Sequence, residues 1–203
     1  MGVTIMDESK RLLKRHAIVL YTFQKSDNRV ALLDSACGKV VCYTAHTTLQ
    51  IGAHIEYQLV KKRRHFMAHD IEVVRMPFAI ARDDILFLHH VLEMCYHFIP
   101  EGMVAEDIFA LIEFMYHNGE MLSNAIAKKL YLSKLFILFG IYPEKPYINL
   151  SYWQVLLERP IEVILEQKDT SIVPTLTIWL RSCIYVHPLA HTFKTLEFLN
   201  VNE

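Results

Sequence analysis

The sequence predicts an α+β protein in which an N-terminal five-stranded β-barrel is followed by an all-helical domain. Three observations carry this. Five short segments rich in β-branched and aromatic residues succeed one another up to Arg75 with turn signals between them. From Pro77 onward the apolar pattern changes to the three-to-four-residue period of helices. One run, Leu130 to Phe139, is apolar except for Ser133 and Lys134, so its helix has to be buried on nearly every side. The boundary is set at residue 77, giving domains 1–77 and 78–203.

The strands are read in order. Ala17 to Phe23 (AIVLYTF) has the composition of a strand. Arg29 to Asp34 follows the turn-like Lys25-Ser26-Asp27-Asn28, and Ser35 to Gly38 reads as a hairpin turn into Lys39–Thr44. His54 to Val60 alternates, with Ile55, Tyr57 and Leu59 inward and His54, Glu56 and Gln58 outward. Phe66 to Arg75 is the fifth strand. Five short strands of this spacing suit a small closed barrel, and the OB-fold-like barrel is the commonest five-stranded form.

The helices follow. Asp83 or Asp84 caps the first, which runs through Ile99 with Ile85, Leu88, Leu92, Cys95 and Ile99 on one stripe. Val104 to His117 is the second, with Ile108, Leu111, Ile112 and Met115 facing the core. Ser123 caps the central helix, Gly140 ends it in a left-handed conformation, and Pro143 forbids its resumption. Its apolar run is too short and too charged to span a bilayer. Glu144 to Pro160 reads as an irregular connection with a short helix near Tyr152 to Glu158. Thr170 to His187 is a further helix that tolerates Pro174 in its first turn, and Thr192 to Asn200 closes the chain.

With 203 residues, of which 53% are hydrophobic, the chain has enough apolar surface for a core without disulfides or metals. The net charge is −1, but it is unevenly spread. Residues 1–75 hold 12 Lys/Arg against 7 Asp/Glu, and residues 76–203 hold 9 against 15. That asymmetry points to an N-terminal part that binds a polyanion. Cys37, Cys42, Cys95 and Cys183 form no C-x-x-C and no zinc pattern with histidine. The charged start, Met1 to Arg15, has no apolar core of a signal peptide. The expectation is a cytoplasmic protein with reduced thiols.

Lys61-Lys62-Arg63-Arg64 is the densest charge run and falls at the turn between the fourth and fifth strands. With Arg11, Lys14 and Arg15 of the basic lead-in, these residues are the candidate phosphate contacts. Tyr21, Phe23, Tyr43, Tyr57 and Phe66 are interleaved nearby as surfaces on which bases could stack. His90, Glu93 and His97 share helical spacing and are expected on the solvent face of the first helix, where three such groups could hold a metal. No second Glu-x-x-His completes a di-iron pattern. The chain has no P-loop, G-x-S-x-G, G-x-G-x-x-G or H-E-x-x-H, and Cys37 beside Gly38 has no assigned base. No catalytic residue, metal or cofactor is assigned.

The order of elements, together with several local matches, resembles the RecO family of bacterial recombination mediators. His16 to Leu33 and Cys37-Gly38-Lys39-Val40 are similar to that family's opening hairpin. Asp84 to Phe98 looks like its first long helix. Lys128 to Pro143 (KKLYLSKLFILFGIYP) is similar to its basic pair, Leu-rich helix and Gly-Tyr-x-Pro ending, and His191 to Leu199 resembles its closing segment. Ala45 to Gly52 lacks the basic run expected there, for which Lys61 to Arg64 would substitute from the neighbouring turn. The resemblance implies a nucleoid-associated, non-enzymatic adaptor in DNA repair. It would bind single- and double-stranded DNA, promote annealing, and help load the recombinase with RecR. It also implies that Lys128 and Lys129, above an apolar floor at Leu132, receive the acidic C-terminal tail of the single-stranded DNA-binding protein. No zinc is expected, because Glu144 to Pro160 has no cysteine. The alternatives are a protein-interaction adaptor without DNA binding and a metal-dependent enzyme built on His90, Glu93 and His97.

Overall fold

The strands are β1 (Arg15–Thr22), β2 (Arg29–Asp34), β3 (Gly38–Thr44), β4 (His54–Lys62) and β5 (His65–Arg75). The structure is a computed structural model that describes residues 14–23, 27–45, 49–142, 155–156, 158–166 and 173–193. The strands close into a barrel in the order β1-β2-β3-β5-β4, with β4 returning to β1. β3 and β5 run parallel, and every other neighbouring pair is antiparallel.

β1 and β2 carry near-continuous apolar runs because both of their faces are covered. Ala17, Val19, Val30 and Leu32 point into the barrel with Val40, Cys42, Ile55 and Tyr57. Ile18, Leu20, Ala31 and Leu33 point outward and belong to the core of the helices. One chain thus has two cores that share two strands. At residue 77 the elements change type, but the packing continues across.

The helices are α1 (Phe78–Phe98), α2 (Glu106–His117), α3 (Ala125–Leu138), α4 (Ile161–Glu166) and α5 (Val173–Tyr185). α1 is interrupted at Asp84, which leaves helical geometry (φ −157°, ψ 87°). Its Oδ1 accepts from the Phe87 N–H at 2.9 Å, the cap expected there. The buried face of α1 is wider than the expected stripe. Ile85 is exposed, while Phe87, His90, Val91 and Met94 join Leu88, Leu92, Cys95 and Ile99 inside. The reason is that α1 packs on β1 on one side and α2 on another. His54, expected outside, is likewise buried where α2 covers the barrel, 3.7 Å from Glu113.

α3 is the buried centre of the helical part, packed by α2, α4 and α5, with Leu130, Tyr131, Leu132, Leu135 and Phe136 inside. The Ser133 hydroxyl returns to the Lys129 carbonyl at 2.7 Å, which satisfies a polar group within the apolar run. The cap is Asn124 and not Ser123, its Oδ1 accepting from the Ala127 N–H at 2.8 Å. Ser123 instead closes the 3-10 turn Gly119–Leu122. Gly140 takes φ +77° after the helix, as expected.

α4 was not foreseen in the sequence. Pro174 lies in the first turn of α5. Pro143, the connection 144–154 and the closing segment from 194 onward lie outside the described residues, and Val155, Leu156 and Glu158 are helical. No described helix is long and apolar enough to cross a membrane.

A tight seam joins barrel to helices. Gly38 opens β3 at φ +73°, and a Cβ there would stand 1.6 Å from the Met103 carbonyl oxygen. The Gly102 N–H donates to the Lys39 carbonyl at 2.9 Å beside it.

Candidate nucleic-acid interface

β4 and β5 meet in a two-residue loop, Arg63-Arg64, flanked by the cross-strand pairs Lys62–His65 and Lys61–Phe66. Lys61, Lys62, Arg63 and Arg64 are all exposed. Among the described residues their side chains make no hydrogen bond or ion pair, so four cations stand free at one tip. Arg63 has positive φ (24°). Tight hairpin loops that need positive φ favour Gly or Asn. The loop therefore carries charge at a position where its backbone would be served better by glycine.

From this tip a row of side chains crosses the outer face of the sheet. Lys62 of β4 pairs with His65 of β5. The His65 ring lies 5.0 Å from that of Tyr43 on β3, which is 40% exposed. Tyr43 pairs with Arg29 on β2, and the Arg29 guanidinium lies 4.6 Å over the Phe23 ring just past β1. Along the row Lys62 is followed by two rings, then by Arg29 and a third ring. Asp27 accepts from the Arg29 guanidinium, so this cation is partly neutralised. The sequence reading named Tyr43 and Phe23 but missed Arg29 and His65. The hairpin register, counted back from the Asp34–Gly38 pair, would have placed Arg29 opposite Tyr43. Of the other candidate rings, Phe66 is 38% exposed and lines a cavity of about 410 Å3 with Arg15, Cys37 and Leu59. Tyr57 is fully buried and offers no face to a base.

The remaining described basic candidates, Lys14 and Arg15, are turned to carboxylates. Arg11 lies outside the described residues. Lys14 pairs with Glu56 on β4. Arg15 is turned to the buried Asp34, its Nε donating to Oδ2 and its Nη2 to Oδ1, both at 2.8 Å. Tyr57 OH donates to the same carboxylate at 2.7 Å, and the Ala36 and Cys37 N–H groups each donate at 2.8 Å. Burial pushes the Asp34 carboxyl up, but the bonds from Arg15, Tyr57 and the two amides outweigh it and hold it below the usual carboxylate range. The Arg15 fork is thus committed to a carboxylate that closes the β2–β3 turn, not offered to phosphate.

The three residues assigned to an acidic tail form no open cationic slot. Lys128 Nζ is bound to Asp84 Oδ2 and lies 5.6 Å over the Phe87 ring. Lys129 is 8% exposed and Leu132 is fully buried. The first turns of α3 lie against α1, which is why a basic pair that reads as solvated in sequence is largely enclosed.

The three α1 residues read as one solvent face are also split. His90 is completely buried, and burial lowers its pKa from 6.5 to about 4. His89, Glu93 and His97, spaced four apart, instead line a cavity of about 530 Å3 with Tyr21, Phe23 and Tyr96. Among the described residues no group of three or more His, Cys, Asp or Glu is arranged to hold a metal ion. No protein-family model matches this chain, and no curated protein matches it.

Proposed function

We propose that the chain is a non-enzymatic DNA-binding protein with an OB-type barrel, acting in recombinational repair as the RecO-like mediators do. The free cationic tip of the β4–β5 hairpin, at the end of a row made of the rings of His65, Tyr43 and Phe23 and the Arg29 guanidinium, carries this reading. Four unpaired cations at one hairpin tip suit phosphates without base readout, and exposed rings beside them suit the bases of a single strand. The closed five-stranded order fits an OB-type barrel, and the 4–5 loop, where the tip stands, is one of the loops through which such barrels bind oligonucleotides. The resemblance adds binding of double-stranded DNA, strand annealing, and recombinase loading together with RecR. An acidic tail of the single-stranded DNA-binding protein that docked at Lys128 would have to displace Asp84 from it.

A second reading, a protein-interaction adaptor without DNA binding, is favoured by one observation. An apolar groove of about 730 Å3, lined by Phe98, Phe139, Tyr142, Trp179 and Val186, lies beside the end of α5. Fluorescence anisotropy with a single-stranded oligonucleotide at two salt concentrations separates the readings. DNA binding predicts affinity that falls with salt, and a slope that drops by about 3 when all four tip cations become Ala, at about 0.7 per phosphate. Absence of salt-sensitive binding would favour the adaptor.

A further inference from the structure

We infer that the cavity at the mouth of the barrel, beside Phe66, takes a base of the single strand whose phosphates the hairpin tip holds. The inference rests on the DNA-binding reading and deepens it. It assigns the stacking contact to one residue, on the face of the hairpin opposite the outer row.

The cavity exists because two neighbouring strands part. β3 and β5 pair only over Cys42–Thr44 and Phe66–Ala68. β3 reaches back to Gly38, whereas β5 begins at His65, and Lys39 is joined instead to Glu101 and Gly102. The opening that remains holds about 410 Å3, within the span of ~300–1,000 Å3 usual for ligand sites. Val40, Val41, Leu59 and Phe66 give it apolar walls.

The register places a tip cation at this opening. Residues opposite one another in a ladder share a face, and successive pairs alternate between faces. Ala68 is inside the barrel, and its partner Leu59 packs against that core. The next pair on the same face, toward the tip, is Lys61–Phe66. Lys62–His65 belongs to the other face, with Tyr43. The Cβ atoms of such a pair are about 5 Å apart. A strand whose phosphate meets Lys61 therefore brings the attached base to Phe66.

Phe66 is the ring with a face to give. It is 38% exposed and, among the described residues, in no ring–ring or cation–ring contact, whereas Tyr21, Phe23, Tyr43 and Tyr96 all are. The charged groups at the rim are engaged already. Arg15 holds Asp34, the Lys39 ammonium donates to the Tyr96 carbonyl, and the Glu101 carboxylate acts on Lys39. The cavity thus offers an apolar slot and one ring face, which suit the flat face of a base and not a phosphate. Stacking of this kind tolerates any base.

The test uses the full chain and two labelled 20-mers in anisotropy, all-dT and an abasic oligomer of the same length. Phe66→Leu keeps an apolar side chain and removes the ring face. It should weaken all-dT binding about fivefold or more, the lower end of what stacking of one base contributes. Binding of the abasic oligomer should stay within about twofold. Phe66→Trp restores a ring, should bind all-dT at least as well as wild type, and adds a reporter. Its emission should be quenched by all-dT, beyond any change in wild type, and not by the abasic oligomer. Phe66→Leu binding all-dT as wild type does overturns the site and leaves the DNA-binding reading standing. Equal losses for the two oligomers, or no added quenching in Phe66→Trp with all-dT bound, also overturn the site. Binding of neither oligomer by the wild-type chain overturns the site and the DNA-binding reading together.

Discussion

Two sets of basic residues that look alike in sequence differ in the folded chain. On the β1–α1 side, Arg15 is bound to Asp34, Lys128 to Asp84 and Lys39 to the Tyr96 carbonyl at 2.7 Å. At the β4–β5 tip, Lys61, Lys62, Arg63 and Arg64 have no such partner among the described residues. The first set lies where strands and helices pack together, so each charge must find an internal acceptor or destabilise the fold. The second stands on a loop that extends past the packed part of the barrel, where water solvates the charge. What makes a cation available to a ligand here is whether its backbone is covered, not the local density of Lys and Arg.

The largest test of this contrast is Asp34→Ala. It removes the acceptor of Arg15, Tyr57 and two backbone amides, and should lower unfolding free energy by about 3–5 kcal/mol in urea denaturation. A wild-type midpoint would return Arg15 to the set of available cations.

The covered side also predicts a pH dependence that the tip does not share. Burial holds the His90 imidazole at about 4 instead of 6.5. Between those values the folded chain binds fewer protons than the unfolded chain. Its stability is therefore complete above pH 6.5 and is lost as pH falls toward 4, by about 3 kcal/mol over the window. His54 and His97, shifted the same way mainly by burial, retain part of that slope in a His90→Leu variant. Unfolding at pH 7 and pH 4.5 should show a clearly smaller loss for the variant than for wild type, and equal losses would mean His90 is not the group concerned.

The tip should behave in the opposite way. Lys62→Ala with Arg63→Ala and Arg64→Ala should change stability by no more than about 0.5 kcal/mol, as ordinary surface replacements do. The same variant should flatten the single-strand salt slope by about 2. A stability loss of the Asp34→Ala size would erase the contrast. The smallest effect is the most pointed. Arg63→Gly relieves a positive φ at the price of a more flexible unfolded chain, and should stabilise by about 0.5 kcal/mol while lowering the salt slope by about 0.7. If stability and slope both fall, the loop conformation is not a local compromise in favour of charge.

Much of the fold was legible because it rests on local patterns. The β2–β3 hairpin follows from its turn, the Asp84 cap from one carboxylate before an apolar run, and the burial of α3 from ten residues with two polar exceptions. The tip was legible for the same reason, as four adjacent cations in a turn. What could not be read depends on partners distant in sequence. Arg15 meets Asp34 across the β1–β2 pair, and Lys128 meets Asp84 from another helix. His90 reads as polar surface until β1 and α2 are both packed on α1. The cavity beside α1 draws Tyr21 from the first strand, Phe23 from just past it, and His89, Glu93 and His97 from the first helix, and no short window of sequence contains both groups.

The sharing of β1 and β2 between two cores has a consequence for how the chain is made. When the barrel strands have left the ribosome, Ile18, Leu20, Ala31 and Leu33 form an apolar patch on the outside of whatever barrel has closed. Their cover arrives with the helices, and α3 is complete only at Leu138, some sixty residues after the last strand. At bacterial-to-eukaryotic synthesis rates of about 5–20 residues per second that is an exposure of roughly 3–12 s. During that interval the apolar patch on the nascent barrel is open to association with other apolar surfaces. A fragment ending at residue 77 would keep the same patch permanently, and so would be recovered as aggregate or not at all.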